Sequence, residues 1–261
     1  MTETTVNSTL PLHAGGAIPV LGLGTWQMTG PPAYDAVRAA LDLGYRHIDT
    51  ATAYGNEQEI GRAVRDSDVP RADIFITTKF PPEQVGQERE TLDASLRKLG
   101  VDYVDLWLVH WPPNREAAPE TWREFVSAQE RGVAREIGVS NYSAAQIDQL
   151  VAATDVPPAL NQIPWSPRDY DAATVAEHAE RDVVLEGYSA FKRSNLDDPV
   201  LHEIAAAHGV QPAQVVLRWH IDHDFVVIPK SSNRERLAAN FAVWGFQLTP
   251  EEIERIDGLA G

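Results

Sequence analysis

Four side chains stand out by type and spacing: Asp49, Tyr54, Lys79 and His110. Each falls at or shortly after the end of a strand candidate. A tyrosine hydroxyl ionises near pH 10 when unperturbed, so it is a weak acid at neutrality. An ammonium within a few ångströms favours the phenolate and lowers that value. A carboxylate beside the lysine keeps it charged and oriented. A neutral histidine can donate a hydrogen bond to a substrate oxygen. Together the four suit protonation of a carbonyl oxygen as it becomes an alkoxide, and they lack a strong nucleophile. Each also has a plain structural reading. Asp49 could be a turn residue, Tyr54 a boundary aromatic, Lys79 a solvated side chain and His110 a hydrogen-bonded structural histidine. Those readings weaken jointly, because all four fall at the ends of three adjacent strand candidates.

The strand candidates are eight apolar runs: Val20–Gly24, Arg46–Asp49, Ile74–Thr78, Val104–Val109, Ile137–Ser140, Ala159–Ile163, Val183–Tyr188 and Phe225–Pro229. Most are continuous in Val, Ile and Leu, as in strands buried on both faces. Helix candidates lie between and after them: Pro32–Leu43, Glu57–Val64, Glu83–Leu99, Thr121–Arg131, Ala144–Ala153, Ala172–Arg181, Pro199–His220 in two parts around Gly209, and Arg234–Phe241. Ser143 reads as an N-cap, and Gly44 and Gly100 as C-caps. Thr249 and Pro250 open an extra helix to about Leu259. Strand–helix pairs in this number predict one (β/α)8 TIM barrel, with a doubly wound open sheet as the alternative. A small N-terminal β-hairpin, Leu10–His13 and Ala17–Pro19, would have to plug the barrel bottom. No linker or composition shift appears, so residues 1–261 read as a single domain.

The chain has 261 residues and a formal net charge of -16. Nucleic acid and anionic membranes are poor partners for such a surface. There is no cysteine, hence no disulfide and no thiolate chemistry. The first ten residues do not read as a signal peptide, and no run is long enough to span a membrane. A cytoplasmic protein without an obligate protein partner is expected. The basic residues are eighteen Arg and four Lys. Two of those lysines, Lys79 and Lys230, fall at strand ends, where barrel chemistry sits.

These residues carry a resemblance that extends from about Ile18 to Gly258. Gly22-Leu-Gly-Thr-Trp, Gly44-Tyr-Arg-His-Ile-Asp-Thr-Ala-Thr-Ala-Tyr-Gly-Asn-Glu, Thr78-Lys79, Asp102-Tyr-Val-Asp-Leu-Trp-Leu-Val-His-Trp-Pro, Ile137-Gly-Val-Ser-Asn, Asn161-Gln162 and Val227-Ile-Pro-Lys-Ser are similar to motifs of the aldo-keto reductases. The second and fourth are long and specific. The resemblance implies a TIM barrel and reduction of aldehydes and ketones by hydride from NADPH, without a metal. It implies Tyr54 as general acid, Lys79 supported by Asp49 as the group that lowers its pKa, and His110 as the group that orients the carbonyl.

For the cofactor, the resemblance implies Ser140, Asn141 and Gln162 on the carboxamide and Tyr188 under the nicotinamide ring. It implies Lys230, Ser231 and Arg236 on the adenosine 2′-phosphate and Asn240 near adenine. Thr25, Trp26, Ser189 and Ser232, at the same strand ends, are further cofactor candidates. Helix N-termini attract phosphate, which agrees with cations at the start of the helix after strand eight and favours NADPH over NADH. The sequence departs from the family at Ala190-Phe-Lys-Arg, where Lys192 and Arg193 either reach the pyrophosphate or are solvated. It departs again at Ala239 and after Gln162. A short Pro112–Glu120 loop and a short tail predict an open substrate pocket walled by Trp26, Tyr54, His110 and Trp111. Trp165 reads either as a wall or as core.

Three rivals are weaker. The dinucleotide fingerprint lacks its third glycine, since Gln27 stands there. The metal-like cluster His220-Ile-Asp-His-Asp precedes strand eight, at the wrong face of a barrel. A cofactor-binding regulatory or sensor barrel with little turnover stays open, because fold does not fix function.

Overall fold

The computed structural model describes residues 6–260. Residues 1–5 and 261, part of the expected single domain 1–261 and of the polar N-terminus, lie outside the described residues. Two strands, β1 (Thr9–Pro11) and β2 (Ala17–Pro19), pair antiparallel in register Leu10 to Ile18. Eight more form one parallel sheet: β3 (Leu23–Gly24), β4 (His47–Asp49), β5 (Phe75–Phe80), β6 (Val104–Val109), β7 (Ala134–Ser140), β8 (Leu160–Pro164), β9 (Val184–Tyr188) and β10 (Val226–Val227). They lie side by side in sequence order. A parallel bridge between Leu21 and Val227 joins the first of them to the last and closes the barrel.

The eight runs appear where the hydrophobic pattern put them, with shifted ends. The first and last strands are shorter than expected. Their hydrogen bonds nevertheless run on, from Gly22 N–H to Val227 O at 2.9 Å and from Gly24 N–H to Pro229 O at 3.3 Å. Pro229 has no N–H to return, which interrupts the ladder. The close approach requires Gly24, because a Cβ there would stand 2.6 Å from the Ile228 carbonyl oxygen. The helix expected from Glu83 starts only at Glu88. A turn at Pro82–Gln84 and the left-handed Gly86, φ 88°, break the run first.

The alternating pleat sorts each barrel strand into two faces. Trp107 of β6 points outward, stacking on Phe125 of the helix Pro119–Glu130 with ring centres 3.6 Å apart. The inward face is unusually polar. It carries His47 and Asp49 of β4, Thr77 and Lys79 of β5, Glu136 and Ser140 of β7, Gln162 of β8 and Glu186 of β9, all buried. The hairpin does close the bottom. Leu12 and Ile18 pack on Phe75, Leu106, Leu160 and Val226. Glu136 accepts the Ala14 and Gly16 N–H groups at 3.2 and 2.9 Å, so a strand carboxylate fastens the plug. The open end of the barrel is therefore at the C-terminal strand ends. No helix among the described residues is long and apolar enough to cross a membrane.

Candidate active site

The open end holds a cleft of about 720 Å³ lined by residues of β3, β4, β7, β8 and β9, with His110 and Trp111 following directly on β6 and Ile228 directly on β10. Lys79 lies beneath it. The sequence placed Lys79 just beyond its strand; it is the fifth residue of β5 and points into the barrel. Its ammonium donates to Asp49 Oδ1 at 2.7 Å and to Thr50 O at 3.0 Å, and stands 3.4 Å from the Tyr54 hydroxyl. Tyr54 ends a single helical turn, Thr52–Tyr54, stopped by Gly55 at φ 67°. That stop sets the ring edge-on to His110, with centres 5.7 Å apart. The four residues expected to act together are thus in one cluster.

Its electrostatics follow from burial. Burial first, then Lys79, pushes the His110 imidazole down to about 3, so the ring is neutral at physiological pH. Burial pushes the Tyr54 phenol above its ordinary value of about 10, while Lys79 pulls it back. The expected lowering by Lys79 is present but is outweighed by desolvation. The hydroxyl is therefore protonated at neutrality, as an acid must be. Burial works against the Lys79 ammonium, yet Asp49 and Tyr54 carry it above its ordinary value. Asp49 is raised by burial and held back by Lys79 and by Gln162, whose amide donates to Asp49 Oδ2 at 2.9 Å.

Around this cluster the side chains bond to one another. Ser140 Oγ donates to Gln162 O at 2.8 Å, Asn141 Nδ2 to His110 O at 3.1 Å, and Tyr188 OH to Asn141 Oδ1 at 2.8 Å. Gln27, Asn141 and Ser189 line the cleft with left-handed φ of 58°, 64° and 59°, a conformation that costs energy in residues other than glycine. Trp26 and Trp111 flank the mouth, each 48% exposed. Lys192 is exposed, with its ammonium 5.9 Å from the centre of the Trp26 ring. Arg193 also lines the cleft but is paired with Asp169 at 2.8 Å. Both come from a four-residue helix, Ala190–Arg193, that the sequence did not suggest.

Other expected site residues stand further off. Thr25 is buried and donates its hydroxyl to Asp49 O at 2.9 Å, bracing the floor. Lys230 lines the cleft, whereas Ser231, Ser232, Arg236 and Asn240 follow along the segment leading into and through the helix Arg234–Phe241. Asn233 caps that helix, accepting the Arg236 N–H at 2.9 Å. Ser231 and Asn240 are buried; Ser232 and Arg236 are exposed. Trp165 is core, with its ring edge-on to Phe225 and Tyr170. The metal-like run is taken up structurally: His220 Nδ1 bonds Val216 O and His223 bonds Asp257.

Sequence reasoning missed two residues. Asn56 is fully buried and donates to Thr25 O at 3.0 Å and Met28 O at 2.9 Å, while accepting from Thr50 Oγ1 at 2.6 Å. It ties the loop bearing Trp26 to the strand end bearing Lys79's carbonyl acceptor. Its place two residues after Tyr54 was the available signal. Asn56→Ala strands two buried carbonyls, so a loss of about 2–4 kcal/mol is expected in a denaturant melt. The other missed residue is Glu186.

The comparisons with known proteins agree with this geometry. The model of the Aldo/keto reductase family matches residues 20–260. The chain belongs to the aldo/keto reductase family. It is 43% identical over 254 residues to an aldo-keto reductase of Mycolicibacterium smegmatis, covering 96% of this chain and 92% of that one. It is 39% identical over 249 residues to the methylglyoxal reductase DkgA of Salmonella typhimurium, covering 94% and 90%. An aldo-keto reductase of Bombyx mori, solved in complex with NADP, superposes with a TM-score of 0.89 at 32% identity, covering 98% and 94%. The (β/α)8 barrel and the reductase class of this aldo-keto reductase follow.

Proposed function

We propose that this aldo-keto reductase converts aldehydes and ketones to alcohols with NADPH, in the cytoplasm, as a single barrel domain without an obligate protein partner. The observation that carries the reading is the buried Asp49–Lys79 pair against the Tyr54 hydroxyl at the floor of an aromatic cleft. The Bombyx mori relative solved with NADP and the Salmonella relative named for methylglyoxal reduction support cofactor and substrate class. The wall chemistry fits such a cofactor. Ser140 and Asn141 offer hydroxyl and amide groups, Tyr188 a ring face, and Lys230 with Arg236 cations beside a capped helix N-terminus.

NADPH supplies the hydride. The chain does the rest. His110, neutral, donates a hydrogen bond that orients the carbonyl oxygen between itself and Tyr54. As the oxygen gains charge, Tyr54 gives it a proton, and the phenolate left behind faces the Lys79 ammonium. Asp49 keeps that ammonium charged and fixed. Trp26 and Trp111, each partly exposed at the mouth, offer apolar surface to the substrate's side chain.

The reading is tested by the loss of reduced-nicotinamide absorbance with a panel of aldehydes, ketones and diketones. Oxidation that needs NADPH is expected; tight NADPH binding without turnover on any carbonyl would favour the sensor role instead. Lys230→Ala combined with Arg236→Ala should weaken NADPH about ten- to hundredfold, the worth of charge-assisted bonds to phosphate. NADH binding should hardly change. Equal weakening of both cofactors would remove the 2′-phosphate assignment.

A further inference from the structure

Within the barrel lies a carboxyl group that the reaction as described does not use. Glu186 is the middle residue of β9 and fully buried. Its position is set by register, not by chance of a rotamer. Val184 and Tyr188, two residues either side, point the same way, Val184 into the plugged bottom and Tyr188 into the cleft. Glu186 therefore points into the barrel between plug and active centre. In the sheet it lies across from Gln162 of β8 and Val226 of β10.

Gln162 is close enough to favour the ionised form of Glu186 slightly. However, its amide is already bonded to Asp49 Oδ2, and neither Glu186 oxygen makes a well-formed hydrogen bond to a described protein group. Glu136, the other inward glutamate, contrasts with this, since two hairpin N–H groups hold it.

We propose that Glu186 is a positioning residue of the reductase centre, a second buried acid whose charge state sets how readily Tyr54 releases its proton. The inference deepens the reductase reading and rests on it for its kinetic consequence only. The ionisable groups that act on Glu186 are Asp49 of β4 and Lys79 of β5. Tyr54 and Lys79 feel it in return, both being raised when it is charged. Of the other inward groups, His47 of β4 is held neutral by burial, pushed down to about 3. Tyr188 is raised and stays protonated. Leu106 and Leu108 of β6 and Gly138 of β7 carry no charge.

Burial and the neighbouring Asp49 push the Glu186 carboxyl up to about 8. At neutral pH it is therefore an uncharged acid. The centre then holds one carboxylate, one ammonium and a neutral phenol, with no net charge. Ionising Glu186 adds a negative charge in a place with few compensating donors. A phenolate at Tyr54 would then share the site with two carboxylates and one cation. Proton release from Tyr54 becomes harder, so reduction falls as pH rises through the Glu186 titration. Alcohol oxidation, which starts from the phenolate, shifts to higher pH. Because Asp49 and Glu186 interact, the observed midpoint belongs to the pair.

The test is a phenolate titration by ultraviolet absorbance of the protein without cofactor, Tyr54 being isolated by subtracting the matching Tyr54→Phe protein. Glu186→Gln keeps the shape of the neutral acid and cannot ionise. Tyr54 should show roughly tenfold more phenolate at a given alkaline pH in Glu186→Gln than in the wild type. Identical titration curves would overturn the proposal. In parallel, the descending limb of kcat/KM for reduction should move to higher pH in Glu186→Gln; an unmoved limb would count against it.

Should Glu186→Gln fail to fold, infrared spectroscopy of the wild type decides the charge state. The carbonyl band of a protonated buried carboxyl should be present at neutral pH and vanish on alkaline titration; its absence at neutrality would overturn the proposal. Neither spectroscopic arm needs turnover. A wild type inert to every carbonyl would therefore sink the reductase reading while leaving this one to stand or fall separately.

Discussion

Tyr54→Phe should abolish most carbonyl reduction while leaving NADPH affinity intact. The substitution removes one oxygen, and with it the 3.4 Å approach of the Lys79 ammonium. The ring, its edge contact with His110 and the shape of the cleft remain. A positioned general acid contributes about 10²–10⁴ in rate, so kcat should fall by that factor. The deficit should depend on the substrate. An electron-poor carbonyl, such as a diketone, needs less proton assistance in its transition state and should lose less. Steady-state kinetics over a substrate series, with NADPH binding followed by fluorescence quenching, would establish this. Full activity in the variant would remove Tyr54 from the acid role. The same series should show no inflection near the ordinary histidine range, because His110 is held neutral down to about pH 3.

The clustering of the candidate site residues was legible in the sequence because they have rare types at strand ends. Lys79 is one of four lysines, and Asp49 and His110 stand at the ends of two strand candidates. The barrel was legible for the same reason, since continuous Val, Ile and Leu runs spaced by helices leave few other arrangements. What could not be read was which polar residues turn inward. Glu186 sits in Val-Val-Leu-Glu-Gly-Tyr, where a lone acid looks like an interruption of the run. Only the pleat, anchored by Tyr188 in the cleft, reveals that it points into the barrel. Lys79 was placed a residue or two too far out because a charged side chain argues against strand interior; its pairing with Asp49 outweighs that cost. Ala190–Arg193 was missed because it starts from Ser189 in a left-handed conformation that no local signal announces. Trp165 could have been wall or core by type alone, and packing against Phe225 decides it.

The second large effect is on stability as well as rate. Lys79→Met keeps the length and apolar stem of a fully buried side chain but removes its charge. Asp49 then stays buried without its cation, retaining only the Gln162 amide on Oδ2. Breaking a buried ion pair from one side costs about 3–5 kcal/mol. The cost should vary with pH, and its sign follows from burial. Burial already raises the Asp49 pKa in the folded state, and Lys79 opposes that rise. Without Lys79 the folded protein binds this proton over a wider range than the unfolded chain, whose aspartate ionises near 4. Stability therefore falls as pH climbs above that value, and the deficit of Lys79→Met should be smaller in mild acid than at neutrality. Urea melts at several pH values would show it; a deficit independent of pH would mean that Asp49 is not the stranded group. Adding Asp49→Asn to Lys79→Met removes the stranded charge and should restore most of the stability. Reduction should stay down by about 10² or more in both variants, because neither provides a cation for the Tyr54 phenolate. Stability that returns without activity would separate what the ion pair does for the barrel from what its ammonium does for the proton transfer.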